Sequence, residues 1–96
     1  MTGTVDSNQQ MKLFRQIPIW KRLDHKSAVR FNCIEGMEMN QFTVQSADFF
    51  SIPIKGERIS YLEELFPERF IEVESEQRKW FVSLEEAIAD HESEFR

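Results

Sequence analysis

The stretch AVRFNCIEGMEMNQFTVQS, residues 28–46, decides the fold of this chain. Apolar residues alternate with polar ones in both of its halves: Val29, Phe31 and Cys33 in the first, Phe42 and Val44 in the second. This period of two is typical of strands with one buried face. Because a short linker containing Gly36 separates the halves, the stretch predicts a β-hairpin.

Extended segments are expected on both sides of this hairpin. Residues 12–23 are rich in apolar side chains, and Pro18 bars a helix interior there, so this segment predicts a strand at a sheet edge. The sequence LDHKS, residues 23–27, then predicts a turn. After the hairpin, residues 47–54 remain extended and apolar as far as a bend at Pro53 and Gly56.

Two helices are expected in the second half of the chain. SYLE, residues 60–63, and SLEE, residues 83–86, each place Ser three positions before Glu, the spacing of a capping box. The first helix should be short, because Pro67 cannot continue it. The second can run from Leu84 to about Phe95.

Two further strands are expected between the helices, at residues 70–74 and 79–82. If they form a hairpin, the facing pairs are Glu74 with Lys79, Val73 with Trp80, and Ile71 with Val82. The element order is then β-β-β-α-β-β-α. The predicted fold is α+β: a small antiparallel sheet of about four to five strands, with a short helix and a C-terminal amphipathic helix packed on one face.

Length and composition favour one domain at residues 11–96, preceded by a disordered polar tail at residues 1–10. The single cysteine cannot form an internal disulfide. No apolar run approaches the roughly 18 residues that span a bilayer, and the first residues lack a signal-peptide pattern. We therefore expect a cytoplasmic protein without a membrane partner.

Charge is unevenly distributed along the chain, whose net charge is −5. Residues 11–30 hold six Lys and Arg against one acid, whereas residues 31–96 hold fifteen acids against six bases. The simplest expectation is that the basic segment pairs with the acidic part within the folded domain. Otherwise it offers one small basic strip on an acidic protein.

His91 is the first candidate for chemistry, because three acids surround it in the sequence: Asp90, Glu92 and Glu94. At helical spacing, however, His91 falls on one narrow stripe with Leu84, Ile88 and Phe95, which should pack on the sheet. Glu94 is the one acid near that face, and a metal site would need further ligands. The spacing therefore favours a packed helix over a metal or acid–base site.

Other catalytic patterns are weak. Cys33 lies on the inward row of its strand with no histidine placed beside it, so we interpret it as a small buried apolar residue. Three isolated glycines cannot build a phosphate-binding loop. We therefore predict no enzyme activity, no cofactor and no metal.

Two surface features remain as candidates for partner binding. Met37 and Met39 lie in the hairpin loop, beside Ile34 on the outward row of its strand, and methionine suits adaptable contacts. The second feature is an acidic row made of Glu72, Glu74 and Glu76.

These features predict a small acidic, non-catalytic module that binds another protein with a basic surface. Regulators, inhibitors, and immunity-type or anti-defence-type proteins all fit this description. The alternative is a nucleic-acid-associated protein that uses a basic and aromatic set at residues 12–30: Lys12, Arg15, Trp20, Lys21 and Arg22. A third hypothesis is a small His- or metal-dependent enzyme. A homodimer through the N-terminal strand is also compatible with the sequence.

Overall fold

The computed structural model describes residues 13–73 and 77–94. Within these ranges it contains three strands followed by two helices: β1 Phe14–Arg22, β2 Ser27–Gly36, β3 Gln41–Ser51, α1 Gly56–Glu72 and α2 Leu84–Glu94. The α+β class and the antiparallel sheet are therefore confirmed, whereas the expected four to five strands are not found. The tail expected at residues 1–10 lies outside the described residues.

The three strands form one antiparallel sheet in the order β1-β2-β3. The predicted hairpin of β2 and β3 is confirmed, and its turn closes with a hydrogen bond from Asn40 N to Gly36 O of 2.8 Å. Asn40 has a φ of 55°. Asn tolerates this left-handed conformation better than most residues, because its short side chain can hydrogen-bond locally.

β1 is an edge strand, as the proline predicts. Leu13 O accepts a hydrogen bond from Met37 N, and Leu23 N donates one to Ser27 O, each at 3.0 Å. Backbone groups alternate in direction along a strand, so the odd-numbered residues of β1 face β2 and the even-numbered ones face the free edge. Pro18 thus lies where its missing N–H removes no bond to β2.

One face of β2 packs against α2 and carries most of the apolar core. Val29, Phe31 and Cys33 are buried on it, and Leu84 and Ile88 of α2 pack against them. We call this side of the sheet the α2 face. The burial of these three residues confirms the prediction from the alternating pattern, which placed them on the inward side of the strand.

The opposite side of β2 is buried as well, which the alternation did not predict. Arg30 and Asn32 are buried there, and Ile34 is only 1% exposed. α1 lies over this side, since Arg30 Nη1 donates to Glu63 Oε1 of α1 at 2.6 Å. We call it the α1 face. The expectation that both helices pack on one face is therefore wrong.

Arg30 is held in this buried position by carboxylates from two elements. Its Nη2 lies 3.1 Å from Asp48 Oδ2 of β3, in addition to the bond to Glu63. Burial opposes the charged form, but the hydrogen bonds and charges of Glu63 and Asp48 outweigh it and raise the pKa of Arg30. The guanidinium therefore stays charged, and it ties β2, β3 and α1 together.

α1 differs from its prediction at both ends. It begins at Gly56, with Lys55 as an N-cap that makes no side-chain cap bond, so the expected capping box at residues 60–63 is wrong. It also continues through Pro67 to Glu72, so the residues at 70–72 are helical and not part of a strand.

The expected strand at residues 79–82 is reduced to one bridge. Phe81 and Phe42 exchange two backbone hydrogen bonds of 2.8 Å at the free edge of β3. The predicted pairing with residues 79–82 is therefore absent for residues 70–73, and Glu74 lies outside the described residues.

Aromatic packing explains why α1 runs past Pro67. Phe66 and Phe70, one turn apart, stack with ring centroids 6.3 Å apart, and Phe70 meets Phe14 of β1 edge-on at 5.1 Å. A helix that ended at Phe66 would lose these contacts. Burial of large aromatic side chains can offset the roughly 3 kcal/mol cost of an interior proline.

Arg78 and Gln45 also fasten the last turns of α1. Gln45 is the residue passed over at the β-bulge of β3, and its Nε2 donates to Phe66 O at 3.1 Å. The guanidinium of Arg78 donates to Gln45 Oε1 at 3.2 Å and to the carbonyl oxygens of Phe70 and Val73 at 3.2 and 3.1 Å. The bonds from Arg78 satisfy carbonyl groups that the helix end leaves without partners.

α2 agrees more closely with its prediction. It begins at Leu84, and Ser83 Oγ accepts a hydrogen bond from Glu86 N at 3.1 Å, which is one half of the predicted capping box. Ala87 is the most buried residue of this helix. Phe95, expected on the same stripe, lies outside the described residues. Neither described helix has the length and apolar character needed to cross a bilayer.

Replacing Pro67 tests the course of α1. Because Pro67 lies inside the helix, Pro67→Ala should raise the free energy of unfolding by about 1–3 kcal/mol in urea denaturation followed by circular dichroism. Pro18→Ala is the control: it should give no gain, since Pro18 breaks no bond to β2 and restricts the unfolded chain. An unchanged stability in Pro67→Ala would contradict the continuous helix.

Arg30→Ala tests the buried ion pairs. Removing the cation leaves Asp48 without its charge partner, so we expect a loss of about 3 kcal/mol in the free energy of unfolding. Arg22→Ala removes the same side chain from an exposed position and should change stability by no more than about 0.5 kcal/mol. Equal effects in the two variants would show that Arg30 has no special structural role.

Candidate functional site

Large apolar side chains gather at the end of the sheet where β1 finishes, β2 starts and β3 leaves for α1. We call this region the open-end surface. Its five side chains are 44% to 62% exposed: Trp20, Leu23, Phe49, Ile52 and Ile54. Trp20, Ile52 and Ile54 line one shallow concavity, and Phe49 and Ile54 line the next. In the strand register Trp20 lies on the α1 face and Phe49 on the α2 face, so the exposed side chains surround this end of the sheet. Exposed apolar side chains gathered in this way are typical of binding surfaces.

The turn predicted at residues 23–27 shapes this surface. Asp24 Oδ1 accepts hydrogen bonds of 2.8 Å from Lys26 N and from Ser27 Oγ. These bonds, the one from the Lys26 backbone first, lower the pKa of Asp24. Ile52 N donates to Lys26 O at 2.9 Å, so the exit of β3 is joined to the same turn.

Cations surround the open-end surface. Four of them are exposed, and among the described residues they form no ion pair: Arg22, Lys26, Lys55 and Arg58. Arg58 Nη2 donates to Phe49 O at 2.8 Å, and its guanidinium lies 5.6 Å from the centre of the Phe50 ring. The nearby acids are Asp24, which is bound in its own turn, and Glu57 in the first turn of α1.

Among the described residues, only part of the basic segment proposed for nucleic-acid binding is free of ion pairs within the domain. Arg15 pairs with Glu35 at 2.5 Å, and Lys21 pairs with Glu92 of α2 at 2.6 Å. Both point to the α2 face, as expected if the segment pairs with acids inside the domain. Trp20 remains exposed beside the exposed Arg22, whereas Lys12 lies outside the described residues. The described part of the set therefore does not form one continuous strip.

The expected partner-binding residues are divided as well. Met37 and Met39 are half exposed in the hairpin turn, as predicted. Ile34 is not on a solvent-facing row: its side chain is buried because α1 covers that side of β2. Glu72 is exposed at the last residue of α1, and Glu74 and Glu76 lie outside the described residues.

The methionines and Glu72 lie at the other end of the sheet from the open-end surface. Phe14 is paired in register with Gly36 beside the hairpin turn, and it contacts Phe70 near the end of α1. The hairpin turn and the C-terminal end of α1 therefore share one end of the molecule.

A larger concave space adjoins the open-end surface on the α2 face. It measures about 650 Å³, and we call it the α2-face pocket. The side chains that define it are Leu23, Phe31, Ala47, Phe49, Arg69 and His91. The exposed wall area is mostly apolar, and the polar residues at its border are Gln45, Ser46, Arg69, His91 and Glu92. An apolar cavity with a few polar groups is an arrangement found in small-molecule sites.

His91 packs as the stripe on α2 predicted. Its ring meets Phe31 edge-on, with centroids 6.1 Å apart. Burial lowers the pKa of His91, and the negative charges of Glu94, Asp90 and Glu92 only partly oppose this shift. The imidazole is therefore neutral at neutral pH.

Cys33 is fully buried, as predicted, and donates a weak hydrogen bond to Phe31 O at 3.7 Å. Burial raises the pKa of the Cys33 thiol to about 11. Such a thiol is a poor nucleophile at neutral pH. Within residues 13–73 and 77–94, no group of three or more His, Cys, Asp or Glu side chains is arranged to hold a metal ion.

Comparison with known proteins gives no match: no protein family, no curated protein and no solved structure resembles this chain closely enough to be assigned.

One feature of the sequence, the pair Phe49 and Phe50, could have predicted part of the open-end surface. Phe49 and Phe50 are consecutive in β3, and consecutive residues of a strand point to opposite faces. Accordingly, Phe50 is 5% exposed beneath α1, while Phe49 is 62% exposed. Two adjacent phenylalanines in an edge strand thus indicate that one of them faces outward.

The burial of His91 predicts a pH-dependent contribution to stability. Its pKa in the folded chain lies below the ordinary value of 6.5, so the unfolded chain binds the proton more readily. The contribution is present above pH 6.5 and is lost as the pH falls through the folded pKa. Between about pH 8 and about pH 5, the wild-type chain should lose more stability than His91→Gln in denaturant titrations.

His25→Gln is the matched control, because it removes an imidazole from the exposed turn. Its stability should follow the wild-type pH profile. If His91→Gln instead keeps the wild-type profile, the buried imidazole does not cause the pH dependence.

Proposed function

We propose that this chain is a small, non-catalytic module that binds another protein through the open-end surface. The observation that carries the proposal is the set of exposed apolar side chains at this end of the sheet, of which Trp20, Phe49, Ile52 and Ile54 line two concavities. The cations that border the same concavities have no ion partner among the described residues. An apolar centre with a polar, charged rim is the usual anatomy of a protein interface. A regulator, an inhibitor or an immunity-type or anti-defence-type protein would use such a surface.

The charges of this surface favour an acidic partner. Four cations, Arg22, Lys26, Lys55 and Arg58, outnumber the two nearby acids, Asp24 and Glu57. Cations at an interface rim speed association with an acidic surface and select against basic ones. The partner with a basic surface, expected from the acidic row, would have to use the opposite end of the molecule, around Glu72 and the methionine turn.

The kinds of apolar side chain favour protein over nucleic acid. Leu23, Ile52 and Ile54 are aliphatic, so they can fill pockets on a protein but cannot stack on bases as aromatic rings do. The net charge of −5 also opposes a polyanion at long range.

Binding of single-stranded nucleic acid is the second candidate, and one specific observation supports it. Trp20 is exposed next to Arg22 and within the same concavity as Lys26. An exposed ring beside two cations suits the stacking of a single base.

A pair of double variants tests the protein-binding proposal. Ile52→Ser with Ile54→Ser removes two large apolar side chains from the open-end surface, and Met37→Ser with Met39→Ser does the same at the opposite end. In affinity capture from a native lysate, a partner captured by the wild-type chain should be lost with the Ile52/Ile54 variant and kept by the Met37/Met39 variant. Both variants should retain the wild-type melting temperature within a few degrees, since all four side chains are exposed.

The reverse pattern, with loss only in the Met37/Met39 variant, would move the binding surface to the hairpin turn. A salt-dependent shift with a labelled single-stranded oligonucleotide, abolished by Trp20→Ser, would instead support the second candidate.

A further inference from the structure

The α2-face pocket has the size and the walls of a site for an apolar group. Its volume of about 650 Å³ lies within the range of about 300–1,000 Å³ that is typical of small-molecule sites. Leu23 and Phe49 stand on its rim with about half or more of their surface exposed. Phe31 and Val29 form its floor on the α2 face. A ring or a branched aliphatic group placed there would remove the surfaces of Leu23 and Phe49 from water.

The charged groups of the pocket favour a ligand that carries a negative charge. Arg69 reaches it from α1, and its guanidinium forms no ion pair or hydrogen bond with the described residues. Glu92 also borders the pocket, but its carboxylate is bound to Lys21 Nζ at 2.6 Å. The guanidinium of Arg69 is thus the charge in the pocket that lacks a counterion.

We propose that the α2-face pocket binds an aromatic or branched apolar group that carries a carboxylate. The apolar part lies between Leu23, Phe31 and Phe49, and the carboxylate faces Arg69. A guanidinium matches a carboxylate through two parallel hydrogen bonds, which also orient the ligand. A phosphate would need more donors than one arginine supplies beside apolar walls.

This site shares Leu23 and Phe49 with the open-end surface but goes beyond it, because Arg69, Phe31 and Ala47 line it whereas Ile52 and Ile54 do not. The ligand has two possible sources with the same chemistry: a free organic acid, or the C-terminal residue of a polypeptide. Both place a carboxylate a few bonds from an apolar group, and the experiment separates them.

The test is an NMR titration of the uniformly ¹⁵N-labelled full chain with 3-phenylpropionate and with its neutral amide. A ligand of this size binds at ordinary efficiency with a Kd of about 1–5 mM. The acid should shift backbone signals of residues around the pocket, such as Ala47 and Phe49, and should bind several-fold more tightly than the amide. A short peptide ending in Phe, with a free or an amidated C-terminus, distinguishes the two sources: tighter binding of the free peptide than of phenylpropionate identifies a chain terminus.

Two variants assign the contacts. Arg69→Gln should weaken binding of the acid about two- to fivefold and leave binding of the amide unchanged, as expected for a partly exposed ion pair. Arg22→Gln removes one cation outside the pocket and should leave both affinities unchanged. Phe49→Ser should weaken the acid and the amide equally, because it removes apolar contact without changing charge.

Three results would overturn the inference: equal affinities of acid and amide in the wild-type chain, equal effects of Arg69→Gln and Arg22→Gln, or an absence of shifts at the pocket at about 20 mM ligand. The Ile52/Ile54 double variant separates this inference from the protein-binding proposal. It should bind phenylpropionate like the wild type, whatever its effect on partner capture.

Discussion

The structure depends on one buried guanidinium. Arg30 lies on the central strand, and its two terminal nitrogens bind Asp48 of β3 and Glu63 of α1. A buried cation without partners would cost several kcal/mol, so the chain must bring both carboxylates to it in order to fold. Because Glu63 belongs to α1, this requirement fixes the helix over the sheet. The ring planes of Trp20 and Phe50, whose centroids lie 5.7 and 5.4 Å from the guanidinium carbon, complete its surroundings and hold Trp20 at the rim of the open-end surface.

The far end of α1 is fixed by different means. The β-bulge in β3 frees Gln45 from pairing, and its amide reaches a carbonyl of the helix while Arg78 binds the last turn. Arg78 bears a desolvation cost, which lowers the pKa of its guanidinium. Its side chain nevertheless satisfies carbonyl groups that would otherwise lack partners at the helix end. The bulge therefore links sheet and helix, a role in keeping with the tendency of bulges to redirect a side chain.

Local patterns in the sequence predicted those parts of the structure that local forces determine. The hairpin of β2 and β3, the edge position of Pro18, and the cap of α2 at Ser83 all follow from residues within a few positions of each other. The errors arose where distant contacts override local preference. Pro67 favours a helix end, but Phe66 and Phe70 gain contacts only by continuing the helix toward Phe14. Arg30 and Asn32 alternate with apolar residues as if they faced water, and only their partners on β3 and α1 make their burial possible. Ile34 was predicted to face solvent but is buried, for the same reason. No residue near it in the sequence indicates that a helix covers the second side of the strand.

The net charge of the chain and the charge of its proposed binding surface have opposite signs, and the folded arrangement explains why. The acids that lie near the sheet are used within the domain: Glu35 binds Arg15, Glu92 binds Lys21, and Asp48 and Glu63 bind Arg30. The acids left without an ion pair among the described residues lie mainly along the helices, as Glu64, Glu68 and Glu72 do on α1. At the open end, the acids that accompany Arg22, Lys26, Lys55 and Arg58 are Asp24 and Glu57. An overall charge of −5 therefore opposes polyanions at long range. The cations around the exposed apolar side chains would favour the acidic partner proposed above once the two surfaces approach within about a Debye length. Selectivity of this kind depends on where charges remain after folding, which the total count of acids and bases does not show.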